Sequence, residues 1–324
     1  MRRGGYMNDS NNKSIDILLR TALDEDIGTG DITTLACVPE SAVSEGSFIA
    51  KEPGVICGLN TLKRVFELLD DSVCLTLHIN DGDIVNPGDV IATISGPSRA
   101  ILTGERTALN ILQHMCGIAT KTAEAVREVS GTETKILDTR KTTPGLRALD
   151  KYAVKCGGGT NHRFNLADGV LIKDNHIKAA GGITNAVKKV QEDLIASYVR
   201  NDRKRKDEKQ ENELPEKALK IEVETENLEQ VKEALTAGAD IIMLDNMTPE
   251  MMAEAVKLIN KKALTEASGN MGERDLKTIA ETGVDFISIG ALTHSVKAMD
   301  ISLKFNHHRI KNVSPTRHVR TLHL

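Results

Sequence analysis

The chain has 324 residues, of which 40% are hydrophobic, so it can bury a sizeable core and is not expected to be disordered. Its formal net charge is −4, it has no Trp and only 2% aromatic residues, and its five cysteines are irregularly spaced without a CxxC pair. These values argue against a broad basic nucleic-acid surface and against a disulfide framework or zinc motif, and they favour α/β layers built from aliphatic residues.

The N-terminal part of the chain is predicted to be helical and then β-rich. Residues 1–13 are polar and expected to be loose, and they lack the apolar core of a signal peptide. Ser14 is a candidate N-cap for a helix that Gly28 ends, and the following GTGDITT is expected to be a loop. Between residues 43 and 102, short β-prone runs with turn residues surround one amphipathic helix, TLKRVFELLD. This pattern predicts a small α+β sandwich.

A long helix is predicted next, over residues 103–129, with Thr103 as its N-cap and an apolar face. We assign residues 14–129 to an N-terminal α+β sandwich domain that this helix bridges to the rest of the chain. No apolar run approaches the roughly 18 residues of a membrane span. We therefore expect a cytoplasmic protein that binds neither membranes nor nucleic acid.

From residue 130 to residue 305, short apolar runs alternate with helical segments, which indicates βα units around a parallel sheet. Six strands are predicted at KILD, GVLIK, LKIEVE, DIIMLD, ALTEAS and DFISIG, and a seventh within residues 153–160. Helices are expected near residues 145–156, 182–196, 226–236, 248–260 and 273–282. Their even spacing, without a GxGxxG motif, favours an incomplete or near-closed TIM-like α/β barrel over an open dinucleotide-binding sheet.

Two stretches depart from this rhythm. Residues 200–217 contain seven positive and six negative residues without an apolar period, which predicts a solvated or disordered insertion. Residues 306–324 are basic and contain histidines without ligand spacing, and we expect a frayed tail.

Positive charge is concentrated in one segment of the barrel region. Residues 135–178 contain nine Lys or Arg residues and four Asp residues, a net charge of +5 in an acidic chain. Such local concentration favours a pocket for a small polyanion.

The predicted strand ends are also rich in polar and glycine residues, where a barrel places its ligand groups. Arginines and lysines there suit carboxylates and phosphates, and acids suit sugar hydroxyls or hydrated Mg²⁺. Glycine-containing turns leave backbone N–H groups open for a phosphate. The residues in question are Asp138, Thr139, Arg140, Lys141, Lys173, Asp174, Asn175, Glu222, Glu224, Asp245, Asn246, Ser268, Gly269, Asn270, Gly290, Ala291 and Leu292.

Several ordered motifs resemble those of one family. They are EDIGTGDITT, GERTALNILQHMCGIAT, DTRKTTPGLRALDKYAVKCGGGTNHRFNLADGVLIKDNHI, IEVETENLEQ, IIMLDNM, EASGNM and SIGALTHS. Over roughly residues 14–305, the chain resembles quinolinate phosphoribosyltransferase, also called carboxylating nicotinate-nucleotide pyrophosphorylase. It departs from the family pattern mainly at the insertion and the tail.

The resemblance implies a Mg²⁺-dependent transferase of NAD biosynthesis, which converts quinolinate and phosphoribosyl pyrophosphate to nicotinate mononucleotide, pyrophosphate and CO₂. It also implies a homodimer, possibly within a higher oligomer, in which Arg106 reaches the partner's site. By motif, Arg140, His162, Arg163 and Lys173 would surround the quinolinate carboxylates, with Lys141 nearby, where it could be shared with the pyrophosphate. Glu224 and Asp245 would hold the ribose and, indirectly, the metal, and Ser268, Gly269 and Asn270 with Gly290 would hold the 5′-phosphate. Thr139, Ile289 and Ala291 complete the expected substrate-binding set. The catalytic set would be Lys141, His162, Lys173, Glu224 and Asp245.

Three other interpretations stay open. Lys173 at a barrel strand end is typical of a Schiff-base lyase or aldolase as well. A homologous protein linked to molybdenum transport shares the fold, although the complete TRKT, NHR and KDNH set disfavours it. A non-catalytic phosphate-binding protein is the third. For His162 we favour a positioning or charge-stabilising role over proton transfer.

Overall fold

A computed structural model of the chain describes residues 9–194 and 219–306. The insertion predicted at 200–217 lies outside the described residues, and so does the predicted tail beyond residue 306.

The N-terminal helices differ from the prediction at their starts. Helix α1 covers Asp9–Ile27, so Ser14 lies inside the helix and the prediction of a Ser14 N-cap is wrong, whereas Gly28, at φ 56°, follows its last residue as predicted. Helix α2 (Ile32–Cys37) occupies part of the predicted loop, because Asp31 caps it by accepting from the Thr34 N–H at 3.0 Å.

Two longer helices follow. Helix α3 covers Leu59–Leu69 and helix α4 covers Ser98–Glu128. The prediction of Thr103 as the N-cap of α4 is wrong, since the buried Ser98 and Ile101 extend its packed face upstream. Thr103 instead donates a hydrogen bond to Asp31 at 3.1 Å.

An antiparallel sheet forms the N-terminal part of the fold, with strand order β12-β1-β5-β3. Its strands are β1 (Val43–Ala50), β3 (Cys74–Leu77), β5 (Val90–Pro97) and β12 (Ile301–Phe305), and a separate pair joins β2 (Gly54–Val55) to β4 (Ile84–Val85). Residues 301–305, which the sequence pattern assigns to the barrel, instead pair with β1, where Leu303 lies opposite Phe48.

The second sheet has six strands, in the order β6-β11-β10-β9-β8-β7, and every neighbouring pair is parallel. All six predicted strands are present: β6 (Lys135–Leu137), β7 (Val170–Ile172), β8 (Ile221–Thr225), β9 (Ile241–Asp245), β10 (Leu264–Ser268) and β11 (Phe286–Ser288). The predicted seventh strand is reduced to one bridge between Leu137 and Thr160. The predicted fold class, an incomplete or near-closed TIM-like α/β barrel with an N-terminal α+β sandwich domain, is confirmed as an α/β fold with a sheet of parallel strands and a separate antiparallel sheet.

Helices connect these strands. They are α5 (Arg147–Cys156), α6 (Asp174–Ala180), α7 (described over residues 183–194), α8 (Leu228–Ala237), α9 (Pro249–Ile259), α10 (Leu276–Glu281) and the single turn α11 (Ala291–His294).

Helix α4 packs against both sheets, through β5 and β12 of the antiparallel sheet and β6 of the parallel one, and against the helices α3 and α5. Close contact is possible because glycines stand at the crossing points. A Cβ on Gly117 would lie 2.2 Å from the Lys297 carbonyl oxygen, and one on Gly157 would lie 2.3 Å from the Ala119 carbonyl oxygen. The C-terminal end of α5 is thereby held directly against α4.

Candidate active site

The parallel strands bring their carboxyl ends to one edge of the sheet, where the predicted polar residues meet. On β8, Glu222 and Glu224 are two residues apart and share a face. Glu224 is paired with Met243, which places Asp245 on that same face of β9, and Ser268 of β10 lies opposite Asp245. The acids and the serine predicted for a phosphosugar therefore come from three adjacent strands.

The loop that follows β6 is tied to the Asn161–Arg163 segment through a buried ion pair. Lys151 Nζ lies 2.5 Å from Asp138 Oδ1, and the two side chains are 2% and 0% exposed. Asp138 Oδ1 also accepts from the His162 N–H at 2.8 Å, while Lys151 Nζ donates to the His162 carbonyl at 3.0 Å. One ion pair thus fixes both the N–H and the carbonyl group of His162.

Burial shifts the pKa of both members of this ion pair. Burial raises the pKa of Asp138, against the opposing effect of Lys151, and burial lowers the pKa of Lys151, against the opposing effect of Asp138. With its amide nitrogen oriented toward Asp138 and Lys151, Asn161 donates to Asp138 Oδ2 at 2.9 Å. The Asp138 carboxylate therefore has a donor for each oxygen.

Helix α5 supplies the support for this arrangement. Arg147, Asp150 and Lys151 are three and four residues apart and lie on one face of the helix. Arg147 donates to Thr142 Oγ1 at 3.0 Å, and Asp150 Oδ1 lies 2.8 Å from His114 Nε2 on α4. Sequence reasoning missed these residues, although their i, i+3, i+4 spacing in a predicted helix was visible.

The His162 side chain is engaged at both ring nitrogens. Its Nδ1 accepts from the Arg163 N–H at 2.7 Å, so the ring proton lies on Nε2. Nε2 is 3.0 Å from Glu222 Oε2 and 3.5 Å from Glu266 Oε2. Burial works to lower the pKa of His162, but the hydrogen bond to Glu222 and the charge of Glu266 raise it overall.

Glu266 is a further residue of this cluster that sequence reasoning did not identify. It is 1% exposed on β10, and one carboxylate oxygen of Glu266 and one of Glu222 are buried without a hydrogen-bond partner. Burial, followed by the charge of Glu222, raises the pKa of Glu266 to about 8. The sequence feature that could have identified Glu266 is its position two residues before Ser268, which puts both side chains on the same face of the strand.

Two guanidinium groups lie beside this cluster with unused donors. Arg140 and Arg163 each have a buried Nε without a hydrogen-bond partner, although Arg163 Nη1 donates to the Gly169 carbonyl at 2.8 Å. Burial lowers the pKa of Arg163, and the nearby positive charge of Arg140 adds to this effect. An unpaired buried donor is costly, so the arrangement is suited to an anionic ligand that pairs with both arginines.

Lys173 and Glu224 are paired directly, with Lys173 Nζ 2.8 Å from Glu224 Oε2. The lysine side chain is 47% exposed. A Schiff-base lysine needs an amine that is free to attack a carbonyl carbon, whereas Lys173 Nζ is engaged by Glu224 Oε2. The structure therefore argues against a lyase or aldolase.

The glycine turns after β10 and β11 have bare backbones. Gly269 has φ +98°, and a Cβ there would lie 2.2 Å from Asn246 Oδ1. Asn246 in turn donates to Asp245 Oδ2 at 2.6 Å. A Cβ on Gly290 would lie 3.0 Å from Lys141 Cδ, which places the Lys141 stem beside this second turn.

The remaining predicted residues are placed as follows. Thr139 Oγ1 accepts from the Lys141 N–H at 3.0 Å, Ile289 is 2% exposed, Asn270 is exposed with φ 49°, and Ala291 begins α11. Arg106 is exposed on α4, and within residues 9–194 and 219–306 no hydrogen bond or ion pair joins it to the site. Its neighbours Thr103 and Thr107 instead donate to Asp31 and Asp26.

Comparisons with known proteins agree over most of the chain. The family described as "Quinolinate phosphoribosyl transferase, N-terminal domain" matches residues 31–116, and its C-terminal counterpart matches residues 118–208 and 203–304. A Bacillus subtilis relative, "Probable nicotinate-nucleotide pyrophosphorylase (carboxylating)", is 47% identical over 279 residues, 86% of this chain and 89% of its own. A chloroplastic nicotinate-nucleotide pyrophosphorylase (carboxylating) of Oryza sativa subsp. japonica is 44% identical over 308 residues, 89% of this chain and 77% of its own. The solved nicotinate-nucleotide pyrophosphorylase of Francisella tularensis is 40% identical, with a TM-score of 0.80, and covers 91% of this chain and 97% of its own.

Proposed function

The chain belongs to the quinolinate phosphoribosyltransferase family, and we propose that it transfers the phosphoribosyl group of phosphoribosyl pyrophosphate to quinolinate, releasing pyrophosphate and CO₂ and forming nicotinate mononucleotide for NAD biosynthesis. The observation that carries this proposal is the pair of guanidinium groups of Arg140 and Arg163, each of which has a buried Nε atom without a hydrogen-bond partner. Together with Lys173, they suit a planar ligand with two carboxylates.

Quinolinate would lie at the edge formed by β6 and β7. Arg140 and Arg163 would pair with its carboxylates, and Thr139 and Lys173 would complete the contacts. His162 would position this ligand, because both of its ring nitrogens are already engaged by the protein. This arrangement favours positioning over proton transfer.

Phosphoribosyl pyrophosphate would lie across β8 to β11. Glu224 and Asp245 would bind the ribose hydroxyls, and Lys141 would reach the pyrophosphate. The turns at Ser268–Asn270 and Ile289–Ala291 would hold the 5′-phosphate through their bare backbone. Gly269 supports this assignment, since a side chain there would collide with Asn246.

Mg²⁺ fits the donor set of the subsite proposed for phosphoribosyl pyrophosphate. Glu224 and Asp245 are partly buried carboxylates on adjacent strands, and Mg²⁺ binds typically through one or two carboxylates together with water and substrate phosphates. Bound there, the ion would neutralise the departing pyrophosphate.

The transfer needs no protein nucleophile. The pyridine nitrogen of quinolinate attacks the anomeric carbon as the bond to pyrophosphate breaks, and the acids stabilise positive charge on the ribose. The bond from ring carbon 2 to its carboxylate then breaks, and its electron pair remains on the carbon beside the new pyridinium. A proton replaces CO₂ at that carbon.

A pyrophosphate-release assay with quinolinate, and then with nicotinate, tests the proposal. Activity is expected only with the dicarboxylate, and Arg163→Ala should lower its use severely. Lys188→Ala, which removes an exposed cation on α7, is the control and should behave like the parent. Binding of quinolinate without product formation would instead favour a non-catalytic protein.

A homodimer with Arg106 donated to the partner's site also belongs to this proposal. Its support is the exposure of Arg106, which has no partner in its own site among the described residues. Mixing Arg106→Ala with Arg140→Ala subunits should restore part of the activity in hybrid dimers. No rescue, with subunit exchange demonstrated, would refute a shared site.

We place the protein in the cytoplasm, without nucleic-acid or membrane partners. All five cysteines are free thiols, which is typical of a reducing compartment. Within the described ranges, no helix has the length and apolar character needed to cross a membrane. Fractionation of cells and a gel-shift assay at low salt would test these points.

A further inference from the structure

We propose that Cys57, Asp81 and Cys156 form a binding site for a thiophilic divalent cation of the zinc class, apart from the transfer site. The three residues come from separate segments: Cys57 follows β2, Asp81 lies between β3 and β4, and Cys156 is the last residue of α5. Their spacing in the sequence contains no metal motif. The fold alone brings them together.

The ligand atoms are close to the distances that such an ion requires. The two sulfurs and one carboxylate oxygen all lie within 4.8 Å of one another. With Zn–S bonds of about 2.3 Å and Zn–O bonds of about 2.1 Å, tetrahedral ligands are roughly 3.5 to 3.8 Å apart. An approach of about 1 Å, within reach of side-chain rotation, would complete the coordination.

Asp81 and Cys57 are held by surrounding donors and acceptors. Asp81 Oδ1 accepts from the Gly58 and Leu59 N–H groups at 2.9 and 3.1 Å. Asp81 Oδ2 accepts from the Tyr152 hydroxyl at 2.8 Å, and the Cys57 N–H donates to Cys116 Sγ at 3.3 Å. Such outer contacts orient ligands and are a general feature of protein metal sites.

Burial and chemistry select the class of ion. Cys57 is fully buried, whereas Asp81 and Cys156 are partly exposed, and a water molecule would be the fourth ligand. Two thiolates favour Zn²⁺ or Co²⁺ over Mg²⁺, which binds oxygen ligands. This site and the proposed Mg²⁺ site should therefore not exchange ions.

Binding would join the N-terminal half to α5. Cys57 and Asp81 both lie at the N-terminal end of α3, whereas Cys156 ends the helix that carries Arg147, Asp150 and Lys151 toward the transfer site. The ion would stabilise that helix without touching substrate. The proposal is thus independent of the transfer reaction, and either can fail alone.

The test uses the full chain, kept reduced by a phosphine, freed of metal with a chelator and titrated with Co²⁺. A thiolate-to-cobalt charge-transfer band is expected, saturating at about one ion per chain and abolished by Zn²⁺. Cys156→Ser should remove the band. Asp81→Asn, whose amide oxygen can still accept from the Gly58 and Leu59 N–H groups, should weaken binding by more than about tenfold.

Two further variants complete the design. Tyr152→Phe should weaken binding by about tenfold through the loss of its contact with Asp81. Cys74→Ser removes an exposed thiol on β3 and should leave the titration unchanged. The absence of a charge-transfer band, or a band that persists in Cys156→Ser, would overturn the proposal and leave Asp81 as a cap of α3 beside two packed cysteines.

Discussion

Replacing Lys151 by Met should destabilise the protein strongly. The side chain is 2% exposed and its ammonium lies 2.5 Å from Asp138, which is 0% exposed. Removing one partner of such a buried pair leaves an uncompensated charge and costs about 3–5 kcal/mol. Asp138 would keep its bond from the His162 N–H, at 2.8 Å, but the His162 carbonyl would lose its donor.

Urea unfolding of Lys151→Met and of the double variant Asp138→Asn/Lys151→Met would measure this effect. The double variant removes both charges and should recover much of the loss, because the amide oxygen introduced in place of the carboxylate can still accept from the His162 N–H. We also expect the KM for quinolinate to rise in the single variant. Lys188→Met, with a side chain 73% exposed, should change stability by less than about 0.5 kcal/mol. A loss below about 1 kcal/mol in Lys151→Met would show that water compensates the pair and would refute the reasoning.

Three further predictions concern other parts of the structure. Burial and the charge of Glu222 raise the pKa of Glu266 from 4.5 to about 8. The contribution of this carboxyl to the unfolding free energy is therefore fully present below about pH 4.5 and is lost as the pH rises from there through about 8. Glu266→Gln should therefore flatten the decline in unfolding free energy, ~1.4 kcal/mol per pH unit at most, and an unchanged slope would contradict this. Gly269→Ala should raise the KM for phosphoribosyl pyrophosphate about tenfold or more, since its Cβ would lie 2.2 Å from Asn246 Oδ1, and normal kinetics would argue against a phosphate turn there. Gly117→Ala should lower the melting temperature, because its Cβ would collide with the Lys297 carbonyl and cost about 1–3 kcal/mol of unfolding free energy. An equal or higher melting temperature would show that the two segments separate easily.

The barrel strands could be predicted because each carries its own signal. Runs such as IIMLD are short, apolar and followed by polar residues, and they recur at regular intervals. The C-terminal strand β12 has a similar run, ISLKF, but its partner β1 lies more than 250 residues earlier in the chain. Pairing over that separation is set by tertiary packing, which a local pattern does not contain.

The cationic half of the site could be predicted in part. Arg140, Arg163 and Lys173 stand at strand ends or in the glycine-rich loop, where charge is visible in the sequence. The buried pair of Glu266 with Glu222 could not be predicted in the same way, because an acid inside a strand is expected to face solvent. Only the barrel geometry shows that both acids face inward, against His162.

The contact between Lys173 and Glu224 changes how substrate binding has to be understood. From the sequence, the lysine was assigned to quinolinate and the acid to ribose, as members of separate subsites. In the structure they lie 2.8 Å apart, so the lysine already has a counter-ion when the site is free. Quinolinate would have to replace that carboxylate as the lysine's partner, and Glu224 would then be released toward ribose and Mg²⁺. A ligand shifts this pairing only as far as it prefers one arrangement over the other. Quinolinate and phosphoribosyl pyrophosphate would both favour the arrangement in which Lys173 and Glu224 are separated, so each substrate should bind more tightly in the presence of the other. Equal affinity for quinolinate with and without the phosphosugar would show that the two subsites act independently.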